Sequence, residues 1–264
     1  MKAGRKSSPP SAELYLRRAE ELLRRIREEQ APRLAEAAEL MADAIAGEGV
    51  VYLFGSGHSI LPAMDVFPRY GSFVGFRPLL DPRLMWWNVI GPGGVRELLW
   101  LERSEGYARI FLGSYRLRPR DVMLVYSHGG LNAAPVEVAL EAKRLGLQVI
   151  AVTSLGNTRS SSPTHSSGKR LADVADVVID NCVPPEDALL RVDGLAEPLA
   201  AGSTLAAVAI SMALVAEVGA RLVDRGLRLD VFVSPNAPGA VPEHNSSVFA
   251  AHRRALERSD GHGS

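Results

Sequence analysis

Three short polar turns carry the residue types that could bind and release an anion: Gly55-Ser56-Gly57-His58-Ser59, Ser127-His128-Gly129-Gly130-Leu131-Asn132 and Thr153-Ser154. Each directly follows an apolar, β-favouring run, at residues 50–54, 122–126 and 148–152. Runs of this length suit strands buried on both faces, as in a parallel sheet. The glycines let the backbone turn sharply and approach a ligand closely. Amides freed where a strand turns into a helix point outward, toward an anion. Neither Lys nor Arg occurs in the three turns, so a phosphate here would be held by hydrogen bonds and helix dipoles. Each dipole contributes about 0.3–1 kcal/mol, so several turns must act together. The predicted contacts are Gly55, Ser56, Gly57, His58, Ser59, Ser127, His128, Gly129, Gly130, Asn132, Thr153 and Ser154. Ser203 and Thr204, at the start of a long alanine-rich helix, would close the site, with an ordinary N-cap the other reading of Ser203.

Other chemistries lack their residues. Gly55-x-Gly57 is followed by Ile60 where a dinucleotide fingerprint wants its third glycine, and no acidic residue ends the second strand. There is no Gly-x4-Gly-Lys-Ser/Thr and no Gly-x-Ser-x-Gly, which excludes a P-loop nucleotidase and a nucleophile-elbow hydrolase. The six histidines contain no His-Glu-x-x-His, and no cofactor or metal is expected. One metal possibility stays open, because His58 and His128 follow neighbouring strands.

The elements that must position these turns alternate along the chain. Strands are predicted to begin near residues 50, 72, 122, 148 and 177. Helices are predicted at 11–47 (broken near Pro32), 60–70, 95–115, 135–145, 169–175, 203–225 and 246–258. The repeated strand–turn–helix units imply an α/β fold, a doubly wound five-stranded parallel sheet with a helical N-terminal extension. The expected organisation is a disordered tail at 1–10, a single domain at 11–258 and a second tail at 259–264. Residues 77–120 are the least regular part, and an insertion of that length reads as a binding loop or subunit contact. Trp86 and Trp87 there fit either the core or an interface, with the interface slightly preferred.

Composition narrows the class. Thirty Lys+Arg balance thirty Asp+Glu, so nothing recommends nucleic acid or a membrane surface. The single cysteine, Cys182, excludes an internal disulfide and fits a small buried hydrophobe in a reducing, cytoplasmic setting. Residues 1–10 lack the apolar core of a signal peptide. The apolar stretch at 205–216 is too short to span a bilayer.

The first two turns resemble those of a SIS (sugar isomerase) domain, although Gly129 stands where a phosphate-binding serine is usual. Asp81-Pro82-Arg83-Leu84-Met85, His165-Ser166-Ser167-Gly168-Lys169, Phe232-Val233-Ser234 and Glu243-His244-Asn245 are similar to a bacterial family of stand-alone SIS proteins of unassigned reaction, related to phosphoheptose isomerase. The resemblance implies the sheet order 2-1-3-4-5, a sugar phosphate ligand, and a homodimer or tetramer. It also implies an aldose–ketose isomerase working through an enediol. A non-catalytic phosphosugar sensor is the alternative, followed by a phosphosugar lyase or etherase. Isomerisation needs a base of near-ambient pKa beside the carbon. Glu137, His165 and His244 are the catalytic candidates.

Overall fold

The apolar runs fold as their composition dictates, into strands with both faces covered. The structure, a computed structural model, describes residues 11–85, 94–239, 241 and 243–260. Strand β1 (Val51–Gly55) is buried at every position, as is β3 (Val122–Tyr126). With β2 (Phe76–Pro78), β4 (Gln148–Thr153) and β5 (Val177–Asp180) they form one parallel sheet, ordered β2-β1-β3-β4-β5. Gly55 pairs with Tyr126, so the polar turns after β1 and β3 emerge side by side. That is where chain order reverses, and open α/β sheets bind ligands outside the carboxyl ends of such strands.

One face of the sheet is covered by α2 (Ala31–Ala46), α3 (Ile60–Val66) and α9 (Ser203–Asp224), over a core that includes Leu53, Leu124, Ile150 and Ile210. Helix α1 (Ser11–Glu29) packs outside them. The other face carries α4 (Gly94–Leu101), α5 (Tyr107–Leu112), α6 (Ala133–Arg144) and α8 (Leu171–Val174), over Tyr52, Phe54, Met123 and Val149. The short α7 (Leu155–Ser160) follows β4, and α10 (His244–Asp260) closes the described chain. Helix α9 is long and apolar enough to cross a membrane by length and composition, which the 205–216 stretch alone did not suggest. Here its stripe of Ala206, Ile210, Leu214, Val218 and Leu222 is buried in the core.

Several boundaries differ from the sequence reading, each for a local reason. The second strand is residues 76–78, not 72–76. The β-favouring residues before it pair instead with the segment after α9, through Val74 N–H to Asp230 O (3.1 Å) and Phe232 N–H to Ser72 O (2.9 Å). Pro78 is tolerated because β2 is an edge strand. The helix predicted over 95–115 is two helices, broken by Gly106 in a left-handed conformation (φ 90°). The helix expected over 169–175 keeps only residues 171–174. A small antiparallel hairpin, β6 (Ala188–Leu190) with β7 (Leu199–Ala201), occupies a stretch given no element. The tail expected from residue 259 starts too early, because Ser259 is helical and 5% exposed. Its hydroxyl meets the Tyr52 hydroxyl (3.2 Å) and accepts from Arg77 Nη1 (2.9 Å), which fastens the last turn of α10 to the sheet. Trp86 and Trp87 lie outside the described residues.

Candidate functional site

Backbone geometry fixes the first turn before any side chain contributes. A Cβ on Gly55 would lie 2.0 Å from the carbonyl oxygen of Ser59, so only glycine lets the chain fold back at the end of β1. Gly57 then takes a positive φ of 57°. In the turn after β3, Ser127 Oγ accepts from Gly130 N–H (3.1 Å). Gly130 sits at φ 64°, and a Cβ there would come within 2.8 Å of Thr153 Oγ1.

Between these two turns lies a residue that the sequence reading missed. Glu102, just beyond α4, is 8% exposed. Its Oε2 accepts from Ser56 Oγ (2.9 Å) and its Oε1 from Asn132 Nδ2 (2.8 Å), so one carboxylate ties the β1 turn to the β3 turn. Burial pushes its pKa above the ordinary 4.5, against the opposing pull of the Ser56 hydrogen bond and Arg103. The available signal was an acid directly after the apolar run at residues 98–101, between the first and third strands.

On the α9 side of the same edge is a narrow cleft of about 10 Å³, lined by His58, Ser59, Ser127, His128, Asn181, Ser203 and Thr204 among others. No Lys or Arg lines it. His128 is held at both ring nitrogens. Asn181 Oδ1 accepts from Val183 N–H (3.0 Å), which turns its amide nitrogen to His128 Nδ1 (3.2 Å). His128 Nε2–H is then left to donate to Pro185 O (3.2 Å), since a carbonyl only accepts. With its acceptor nitrogen taken by Asn181, His128 has no lone pair for a metal shared with His58. Among the described residues no three His, Cys, Asp or Glu side chains are grouped to hold a metal ion.

Thr153 and Ser154, expected on the ligand, are fully buried and do not line the cleft. Thr153 Oγ1 donates to His128 O (3.3 Å), and Ser154 Oγ donates to Val183 O (2.7 Å). They order the walls. Ser203 does line the cleft, and its Oγ donates to Asp187 Oδ2 (2.7 Å).

The three catalytic candidates fall in two places. Glu137 and His165 come together, with His165 Nε2 3.6 Å from Glu137 Oε1 and 3.8 Å from Glu105 Oε2. His165 Nδ1 accepts from Ser167 N–H (3.1 Å). Glu137 is already engaged, accepting from the amides of Gly106 and Ala108 at the start of α5. Neither side chain lines the cleft. His244 is separate. Its Nε2 pairs with Val231 O (2.8 Å), beside residues 72–74 that precede β2. That places it toward the amino ends of the strands, away from the turns.

Comparison with known proteins agrees with this architecture. A SIS domain model matches residues 14–154. A UPF0309 protein of Streptomyces coelicolor is 37% identical over 235 residues, covering 89% of this chain and 92% of its own. Among solved structures, a phosphoheptose isomerase from Neisseria gonorrhoeae superposes with a TM-score of 0.54 at 16% identity, over 80% of this chain and 97% of that one. The sugar isomerase domain of a transcription factor from Sphaerobacter thermophilus gives 0.50 at 19% identity, over 94% and 99%. At such identities these two likenesses show the fold alone.

Proposed function

The chain belongs to the SIS domain family, and from that premise we propose that its carboxyl-edge crevice binds a sugar phosphate and interconverts the aldose and ketose forms through an enediol. The phosphate would sit in the cleft against Ser59, Ser127 and Ser203, where hydroxyls and amides supply the donors. The observation that carries the reading is Glu102, a buried carboxylate strung between Ser56 and Asn132 at the junction of β1 and β3.

The chemistry needs a base that takes the proton from C2 while the carbonyl oxygen at C1 gains one and the C2 hydroxyl loses one. Returning the first proton to C1 completes the ketose. Burial moves the Glu102 carboxyl upward from its ordinary value, the direction that favours a general base near ambient pH. Ser56 and Asn132 hold both of its oxygens, so its direction is fixed before the sugar arrives. Glu137 with His165 is the competing location of the base, and His244 would enter only from a neighbouring subunit. We assign the base to Glu102 because its carboxylate alone among these groups bridges the two turns.

The test follows deuterium exchange at C2 of hexose, hexosamine and heptose phosphates in deuterated water, with binding read by thermal shift. Glu102→Gln is expected to bind with near-native affinity and lose exchange by at least a hundredfold, the lower end for a general base. Exchange that survives Glu102→Gln but is lost in Glu137→Gln or His165→Ala moves the base to that pair. Binding without exchange for every bound sugar makes the protein a sensor, and release of a C3 substituent makes it a lyase or etherase.

A further inference from the structure

The amino edge of the sheet, at the opposite end of β1 from the polar turns, holds a cavity of about 100 Å³. Its walls are the end of α2 with the turn after it, the starts of β1 and β2, and one face of α10. A water needs roughly 10–15 Å³ of such space, so there is room for a polyatomic ion. Three of the side chains that line it are basic, Arg77, His252 and Arg258, against one acid, Glu48.

Arg77 is fixed in place. Its Nη1 donates to Ser259 Oγ (2.9 Å), and its guanidinium lies over the rings of Tyr52 (5.9 Å) and Tyr115 (5.4 Å). It therefore has little freedom to lose when an anion arrives. His252 packs against Phe67, with ring centroids 4.7 Å apart. Among the described residues nothing hydrogen-bonds or ion-pairs with its ring nitrogens, with the Arg258 guanidinium or with the Glu48 carboxylate. The imidazole is held below its ordinary 6.5, by burial and then by the charge of Arg77, so the field of that guanidinium reaches it. The carbonyl end of α2, which would repel an anion, is already capped. Gly47 N–H donates to Asp43 O (2.9 Å) and Gly49 N–H to Ala44 O (2.7 Å).

We propose that this cavity is an anion site, separate from the turn edge, for a small dianionic oxyanion: inorganic phosphate or the phosphoryl group of a small metabolite. Arg77 brackets the ion from β2 and Arg258 from the end of α10, with His252 in the wall they share. Around the imidazole, β2 presents Arg77, the turn after α2 presents Glu48, and Phe67 is apolar. A protonated His252 adds a third positive group, so the ion and a proton bind together. Glu48 opposes binding and limits its affinity. The ion would join α10 to the sheet at a second point, beside the Ser259 contacts with Tyr52 and Arg77. The inference does not depend on the sugar phosphate reading.

His252 reports on the site from its own wall. Its ring signal, identified by its loss in His252→Gln, is followed by NMR through a pH titration in sulfate and in chloride of equal ionic strength. Sulfate stays a dianion over this range. It is expected to raise the His252 titration midpoint by about 0.5 in pH or more. Equal midpoints in the two salts overturn the proposal, and this arm needs only the wild type to fold. At fixed pH the same signal gives the dissociation constant of sulfate for the wild type, Arg258→Gln and Glu48→Gln. Both positions are exposed, so neither change threatens the fold. Arg258→Gln should bind about threefold more weakly and Glu48→Gln about threefold more tightly, the sense in which each charge acts. Constants unchanged in both variants place the anion elsewhere and refute the site. Inorganic phosphate and glycerol phosphate, titrated by the same signal, separate the two sources. Tighter binding of inorganic phosphate supports the free ion, and tighter binding of the ester supports a phosphorylated metabolite. Binding of neither overturns the proposal.

Discussion

Gly130→Ala tests whether the β3 turn is built as described. The residue lies in the left-handed region, where an L side chain costs about 1–2 kcal/mol. A new Cβ would stand 2.8 Å from Thr153 Oγ1 and push that hydroxyl off His128 O, a hydrogen bond worth about 1 kcal/mol. The stiffer unfolded chain returns roughly 0.5–1 kcal/mol. The expected net loss is about 2 kcal/mol, or roughly 4–8 °C in Tm for a chain of this size. Because the clash is with one atom, it can be removed separately. Thr153→Ala alone should cost about 1–2 kcal/mol through the lost hydrogen bond and methyl group. The double variant should then lose about 1 kcal/mol less than the two single losses combined, since the displaced hydroxyl is counted only once. Urea unfolding of the four proteins at fixed concentration measures the cycle. A Gly130→Ala loss under about 0.5 kcal/mol, or strict additivity, would refute the close approach of the two turns.

Two further outcomes are expected. Glu102 has a folded pKa above its unfolded value, so its contribution to stability is complete below the ordinary carboxylate pKa of 4.5 and is lost as pH rises through the folded value. Glu102→Gln should therefore gain stability relative to wild type as pH climbs from about 4 to 8, and parallel stability curves would contradict the buried carboxylate. The groove between α1, α2 and α9 is lined by Leu23, Ile26, Leu34 and Ala213 and is open to solvent in the single chain, which fits coverage by a second copy. Light scattering at micromolar concentration should give at least twice 28.4 kDa, and the mass of one chain would exclude the homodimer.

The parts of the molecule that the sequence discloses are those governed by local pattern. Strands β1 and β3 are unbroken apolar runs closed by glycine turns, and both ends come out within a residue of expectation. The second strand failed because 72–76 has strong β character but finds its partner in residues 230–232, a choice made by tertiary pairing. The site divides the same way. Gly55, Gly57 and Gly130 can be read from backbone need alone. Glu102 and Asp187 cannot, because each works by reaching donors 15 to 46 residues away in sequence. Thr153 and Ser154 were misplaced for a related reason. Hydroxyls just after a strand suit a ligand and a neighbouring carbonyl equally well, and here the carbonyls of His128 and Val183 take them.

The charges around the cleft bear on how the proposed anion site would work without Lys or Arg. Neither acid nearby lines it: Glu102 ties the β1 and β3 turns, and Asp187 bonds Ser203 on the first turn of α9. A phosphate entering between two ionised carboxylates would meet repulsion that helix dipoles alone do not offset. Burial biases Glu102 toward its neutral form, and an incoming dianion favours that form further, so binding and proton uptake reinforce each other. A lysine in the cleft would bind phosphate more tightly but would also pair with Glu102 and lower its pKa, weakening the base. In the proposed site, hydroxyls and amides would avoid that conflict.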